Sequence, residues 1–386
     1  MPTYLLIVGT RPEVIKLAPV AAALRRRGAI ADFCAIGQHG DLLHDTLADF
    51  GEIPRYLLLP FRQGRGPAPL LSRMLELLPP LLREISPDGV IVQGDTTTAF
   101  GAALAAFYGR IFPEKESRSA LNSAVAPRVA AIAGALRAPA IVHVEAGLRT
   151  YSHDPYPEEA HRRMIAPLAD LHLSPTEADA DALRREGVIG RIAVTGNSGL
   201  DGLRMILSRP APPLPEADGR IVLCTLHRRE NIAALPSLPE ALGRIAEAVS
   251  DCTILFPSHP SPDWDKIAGE FRKLPRLKLL PPLPYPVCAH LLPRLTLLIT
   301  DSGGLQEEAA FLGIPTLILR EKSERGDAPA LRIIGSDLQR MVKEAVALLT
   351  DEEMRKKRCQ ASTRYGDGFA AGRMAEEILR LHPQNG

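Results

Sequence analysis

The stretch Leu295–Glu308, LTLLITDSGGLQEE, decides the reading of the fold. Its apolar half, Leu295–Thr300, has the length and composition of a buried strand. Asp301-Ser302-Gly303-Gly304 then opens onto the start of a helix. Two adjacent glycines let backbone approach a ligand closely, and the first helical turn offers unpaired N–H groups with partial positive charge. That combination suits a phosphate group. Glu307 and Glu308 follow one turn in, where a carboxylate can bond a ribose hydroxyl. The plain alternative is a tight strand–helix turn whose acids favour the helix start.

Similar junctions recur along the chain. Tyr4–Val8, Ala31–Ile36, Gly89–Gln93, Ala140–Val144, Asp170–Leu173 and Arg191–Thr195 read as buried strands of a first parallel sheet. Amphipathic stretches such as Pro12–Arg27 lie between them. A proline-rich segment, Leu207–Gly219, interrupts the pattern as a linker or surface loop. A second series follows: Ile221–Thr225, Thr253–Pro257, Leu277–Leu280, Leu295–Thr300 and Thr316–Leu319. Alternation of this kind makes βαβ units with helices on both sheet faces. The expected fold is α/β, two doubly wound Rossmann-like domains facing across a cleft, over residues 1–198 and 199–366. Residues 367–386 are expected to form a helix that packs back on the first domain. The stretch at about 110–138 reads as a peripheral insertion, an oligomer contact or a lid.

Composition sets the outer limits. The chain has 386 residues, enough for two or three domains. Its 46 basic and 45 acidic side chains nearly cancel, which gives no electrostatic case for nucleic acid or an anionic membrane. The run Arg25-Arg26-Arg27 before Gly28 suits a helix end. Five scattered cysteines without a CxxC pair favour a reducing compartment and no zinc knuckle, so no metal is expected. There is no signal-like leader, and no apolar run nears the roughly 18 residues of a membrane span. A cytoplasmic location is the expectation.

The polar residues gather at strand exits, where ligands bind in such sheets. Val8-Gly9-Thr10-Arg11-Pro12-Glu13 ends the first strand, and Arg11 and Lys16 are either pyrophosphate ligands or exposed helix residues. The segment is neither a dinucleotide fingerprint nor a P-loop, so no nicotinamide or ATP cofactor is indicated. Gln93-Gly94-Asp95-Thr96-Thr97-Thr98 offers threonine caps, with Asp95 either capping the helix or facing the cleft. Glu145, in His143-Val144-Glu145-Ala146-Gly147-Leu148-Arg149, stands at another exit, with an ion pair to Arg149 as the structural alternative. Glu158 and Glu159 begin a helix, Glu159 as an ordinary first-turn acid. His227-Arg228-Arg229-Glu230-Asn231 and His259 occupy comparable junctions in the second series, as phosphate ligands, proton carriers or caps. Three carboxylates, two histidines and an anion socket suit proton removal at carbon beside a phosphate leaving group. Residue chemistry alone stops at a nucleotide-sugar enzyme without a dissociable redox cofactor.

These motifs, with Thr195-Gly196-Asn197, Ser323-Glu324-Arg325 and Tyr365-Gly366-Asp367-Gly368, resemble the non-hydrolysing UDP-N-acetylglucosamine 2-epimerase family, whose fold is called GT-B. The resemblance runs from Gly9 to the C-terminal helix, outside the insertion. It implies elimination of UDP to a 2-acetamidoglucal and re-addition with C2 inverted, supplying a polysaccharide precursor. It implies Asp95, Glu145 and Glu158 as acid–base carboxylates, with His227 assisting. It places Arg11, Lys16, Ser302, Gly303 and Arg325 about the diphosphate, with Gly304 and His259 among the substrate contacts and Glu308 on the ribose. A UDP-sugar substrate, no cofactor and a homodimer are further implications.

The chain departs from the family pattern at several points. His161 stands where the family has Asn, and the loop between Arg149 and Glu158 is shorter. Gly326-Asp327-Ala328-Pro329 replaces a Pro-Glu-Ala segment, and Gly37-Gln38-His39-Gly40 lacks the arginine of an activator motif. A hydrolysing relative that releases UDP and N-acetylmannosamine, or an epimerase of a modified sugar, fits the same residues. A GT-B glycosyltransferase needs only the socket and an acceptor. A UDP-sugar sensor has no use for the carboxylates.

Overall fold

The computed structural model describes residues 1–37, 40–58, 66–109, 139–226, 236–258, 268–320 and 328–381. Contacts divide the chain into two compact units, Met1–Gly202 with Gly368–Gly386, and Leu203–Asp367. The element-free proline segment after Leu207 lies just inside the second unit.

In the first unit, strands β1 (Thr3–Val8), β2 (Ile30–Ile36), β3 (Tyr56–Leu58), β4 (Gly89–Gln93), β5 (Ala140–Val144), β6 (Leu171–Ser174) and β7 (Arg191–Val194) form one sheet. The order is β3-β2-β1-β4-β5-β6-β7, with every pair parallel. Helices α1 (Arg11–Arg26), α2 (Gly40–Asp49), α3 (Pro67–Ile85), α4 (Thr97–Gly109), α5 (Glu158–Ile165) and α6 (Glu177–Glu186) connect them, and α7 (Ser198–Leu207) follows β7 and runs past the boundary between the units. Five strands are buried along most of their length because both sheet faces are covered. Leu5, Ile7, Val90, Val92 and Ile141 pack with Leu70, Met74 and Leu78 of α3 and the small residues of α4. Each fully buried side chain of this size contributes about 1.5–3 kcal/mol.

The second unit repeats the plan with β8 (Arg220–Thr225), β9 (Cys252–Pro257), β10 (Leu277–Leu280), β11 (Leu297–Thr300), β12 (Thr316–Ile318) and β13 (Leu331–Ile333). Their order is β10-β9-β8-β11-β12-β13, again all parallel. Helices α8 (Leu238–Ala248), α9 (Tyr285–Leu291), α10 (Gly303–Leu312), α11 (Leu338–Thr350) and α12 (Glu352–Arg358) accompany them. Phe256 stacks on Phe271 at 4.7 Å within a core built from α8, α11 and the central strands.

The last helix, α13 (Ala370–Leu379), belongs to the first unit. Asp201 accepts the Ala370 and Ala371 N–H groups, each at 3.0 Å, so a side chain of α7 caps its start. Arg373 Nε donates to the Thr195 carbonyl at 2.9 Å, and Arg27 pairs with Glu376 at 2.8 Å. The arginine run ends α1 as expected. Two of its members are tied down, since Arg25 also pairs with Glu52 at 2.6 Å.

Most strands fall where the sequence places them. The exceptions are β3 and β13, three-residue edge strands absent from the sequence reading, and β11, which begins at Leu297 because Leu292–Arg294 forms a 3-10 turn. The insertion at about 110–138 lies outside the described residues.

Candidate active site

In the first sheet the strand order reverses between β1 and β4, and the carboxyl ends of β1, β4 and β5 carry the polar residues. This is the switch point where doubly wound sheets bind ligands. Glu145 leaves β5 at φ +65°, a left-handed conformation unfavourable for a side-chain-bearing residue by roughly 1–3 kcal/mol. Its side chain is 8% exposed, and Oε2 accepts from Lys16 Nζ and from Gln93 Nε2. Gly94, itself at φ +71°, passes beside it: a Cβ there would lie 3.9 Å from Glu145 Oε2.

The alternative partner for Glu145 is corrected here. Arg149 instead grips Glu186 with two parallel bonds, Nε to Oε1 at 2.8 Å and Nη2 to Oε2 at 2.7 Å. That pairing lowers the Glu186 pKa. Neighbours in sequence are separated because Gly147, at φ +101°, turns the chain so tightly that a Cβ would sit 2.2 Å from the Asp179 carbonyl.

Asp95 is not a cap. Thr96 fills that role, its hydroxyl accepting the Ala99 N–H at 3.0 Å. The Asp95 carboxylate takes a bond from Arg162 Nη2, and its backbone carbonyl accepts His161 Nδ1–H at 3.0 Å. His161 stacks on Phe100, ring centroids 5.3 Å apart. Thus His161 holds the backbone of a candidate catalytic acid.

Glu158, the first residue of α5, is partly buried; its Oε2 is buried and has no hydrogen-bond partner among the described residues. Glu159 is structural, 3% exposed and accepting the N–H groups of Thr150 and Tyr151 at 3.0 and 3.3 Å. Lys16 is buried within α1, whereas Arg11 stands half-buried at the start of that helix.

Glu13 is the group whose role the sequence did not reveal. It is fully buried and accepts from Gly9 N–H, Thr10 N–H and the Thr10 hydroxyl at 2.8, 2.7 and 2.9 Å. The Thr96 hydroxyl donates to its other oxygen at 2.5 Å. Burial nonetheless raises its pKa. The carboxylate ties the β1 exit to the β4 exit, and only its place in a capping box gave any signal.

The second sheet reverses between β8 and β11, and the segment that opened the sequence reading lies there. Thr225 and Thr300 hydroxyls meet at 2.8 Å across the two strands, and Thr300 Oγ1 accepts the Ser302 N–H at 3.0 Å. Asp301 is fully buried, and Ser302 is the partly exposed N-cap of α10. Gly303 and Gly304 form the first turn, with open space where a Gly304 Cβ would be. Glu308 is buried, and its Oε1 accepts the Tyr285 hydroxyl at 2.7 Å. Backbone donors and a fixed carboxylate therefore share one helix start. His227, His259 and Arg325 lie outside the described residues. Among the described residues no group of ligating side chains could hold a metal ion, and no helix is long and apolar enough to cross a membrane.

Two doubly wound parallel sheets, each with polar groups at its switch point, place the protein in the GT-B class of Rossmann-like folds. A family model described as UDP-N-acetylglucosamine 2-epimerase matches residues 22–112 and 125–379. The chain is 35% identical over 397 residues to the UDP-N-acetylglucosamine 2-epimerase of Escherichia coli K12, covering 97% of both. It is 35% identical over 384 residues to that of Bacillus subtilis 168, covering 97% of this chain and 94% of the relative. The crystal structure of UDP-GlcNAc 2-epimerase from Neisseria meningitidis bound to UDP-GlcNAc superposes with a TM-score of 0.84 at 28% identity, covering 98% and 100% of the two chains. The S. aureus MnaA-UDP co-structure gives 0.83 at 30% identity, covering 99% and 97%. The chain belongs to the UDP-N-acetylglucosamine 2-epimerase family.

Proposed function

We propose that this chain interconverts UDP-GlcNAc and UDP-ManNAc without net hydrolysis. The observation that carries the reading is Glu145, held in a left-handed conformation with Lys16 and Gln93 on one carboxylate oxygen, at the switch point that also carries Asp95. A strained, doubly held carboxylate is a costly feature for a structural residue and a useful one for a proton carrier.

The bookkeeping of the reaction matches the groups available. The C1–O bond breaks with its electron pair on UDP, while the C2 proton passes to a carboxylate and C1–C2 becomes a double bond. UDP then re-adds at C1, and a second acid returns a proton to the opposite face of C2. Proton traffic on two faces requires more than one carboxylate, and Asp95, Glu145 and Glu158 are assigned to it, with His227 assisting. The departing diphosphate gains charge, which the N–H groups of the α10 start, from Ser302 to Gly304, and the cations Arg11, Lys16 and Arg325 stabilise. His259 joins the substrate contacts. Glu308, braced by Tyr285, takes the ribose hydroxyls.

A proton-NMR time course with UDP-GlcNAc in deuterated buffer tests the proposal. The expected outcome is deuterium at C2 and the same mixture of nucleotide sugars from either starting compound. Steady accumulation of N-acetylmannosamine would instead mark a hydrolysing enzyme, and absence of C2 exchange would remove the epimerase reading.

A further inference from the structure

Two consecutive residues of α5 hold Asp95 by different atoms: His161 takes its backbone carbonyl at 3.0 Å, and Arg162 takes its carboxylate. The Arg162 side chain is 5% exposed, yet its Nε and Nη1 are buried with no hydrogen-bond acceptor among the described residues. Nη1 comes no nearer than 3.7 Å to Glu159 Oε2, an oxygen engaged by the Thr150 N–H. One helical turn back, Glu158 has a buried oxygen that lacks a donor among the described residues. Residues four apart share one helix face.

Each buried polar atom left unmatched costs about 1–3 kcal/mol. A guanidinium with donors to spare and a carboxylate oxygen without one, on the same face of one helix, make sense if the arginine serves two arrangements. We propose, resting on the reading that Asp95 and Glu158 carry protons in this reaction, that Arg162 is a positioning residue that turns from Asp95 to Glu158 as negative charge moves between them. When Asp95 is ionised, the guanidinium fixes its carboxylate. When Asp95 holds the proton, its attraction for Arg162 falls, and the unused N–H groups turn to an ionised Glu158. His161 keeps the Asp95 backbone in place throughout. Among the described residues, the charged groups paired with Arg162 are Asp95 and Glu159, with His161 next to it in sequence and Glu158 four residues back on the same helix.

The test is the pH dependence of kcat, read as C2 deuterium incorporation from UDP-GlcNAc, in wild type, Arg162→Gln and Arg162→Lys, with UDP affinity as the control for folding. Losing the cation beside Asp95 disfavours the ionised carboxylate. Arg162→Gln should therefore move the acid limb upward and lower kcat about 100-fold, with UDP affinity retained. Arg162→Lys keeps the charge but cannot present a fork to two carboxylates, so the limb should stay and kcat fall several-fold. An unmoved limb and unchanged kcat in Arg162→Gln overturn the inference. Should that variant not fold, wild-type kcat in Arg162→Lys overturns it and a several-fold loss at unchanged KM supports it. If wild type shows no C2 exchange, the proposed function fails, and the inference with it. Exchange in wild type with silent Arg162 variants sinks the inference alone.

Discussion

Glu13, fully buried in the first turn of α1, and Thr96, just past the end of the adjacent strand β4, are joined by a 2.5 Å hydrogen bond. Three other donors crowd the second oxygen of Glu13, so that oxygen must accept, while the first faces a hydroxyl able to donate or accept. Burial raises the Glu13 pKa, against the hydrogen bonds that favour the carboxylate. Glutamine keeps one oxygen for the three donors and turns its NH₂ toward the Thr96 hydroxyl, which can then accept. Glu13→Gln should thus retain the fold, whereas Glu13→Ala leaves buried donors unmatched and should cost about 1–3 kcal/mol, read from urea midpoints. A raised folded pKa makes this contribution largest below the unfolded value near 4.5 and lost as pH rises through the folded one; Glu13→Gln should abolish that dependence.

His143 and His172 face each other in register on β5 and β6. Burial lowers their pKa values to about 3 and about 4, although His143 donates to the Gly94 carbonyl at 2.8 Å. Both are neutral in the folded protein, while the unfolded chain takes up protons below the ordinary value of 6.5. Stability should be complete above pH 6.5 and decline as pH falls toward 4. Two such groups give a slope near 2.7 kcal/mol per pH unit at its steepest, about 1.4 from each. Urea unfolding at pH 7 and pH 5 measures it, and a slope unchanged in His172→Leu would rule out His172 as a source.

Tyr285→Phe removes the hydroxyl that steadies Glu308 and keeps the ring. Losing about 1 kcal/mol of orientation should weaken UDP binding roughly five-fold, with little change in thermal midpoint. Calorimetric titration with UDP reads the difference. Equal affinity in the two proteins would remove Glu308 from the nucleotide site.

Asp95→Asn and Glu145→Gln each keep shape and lose a proton carrier. C2 exchange should fall about 10²–10⁴-fold, while UDP affinity stays within a factor of about two. A variant exchanging at the wild-type rate would take its residue out of the chemistry.

The central strands were legible because a strand covered on both faces is largely apolar. Gly89–Gln93 and Ala140–Val144 therefore stand at the bounds their sequence suggests. The edge strands β3 and β13 were not, since three residues, most of them partly exposed, are too short a run to mark a strand. The strand, glycine pair and helix start at Ser302–Gly304 were equally readable, being local backbone chemistry. Side-chain partnerships were another matter. Glu145 is close in sequence to Arg149, yet it takes Lys16 from α1 and Gln93 from the end of β4, while Arg149 reaches Glu186. Glu13 carried no role in the sequence reading, and the segment after β4 brings Thr96 to it. Sequence by itself determined the alternation, the glycine turns and the chemical types available, because these depend on residues within one turn or strand. Only the tertiary structure decided which charges meet, because parallel strand order brings together residues from exits far apart along the chain, and burial decides what their meeting is worth.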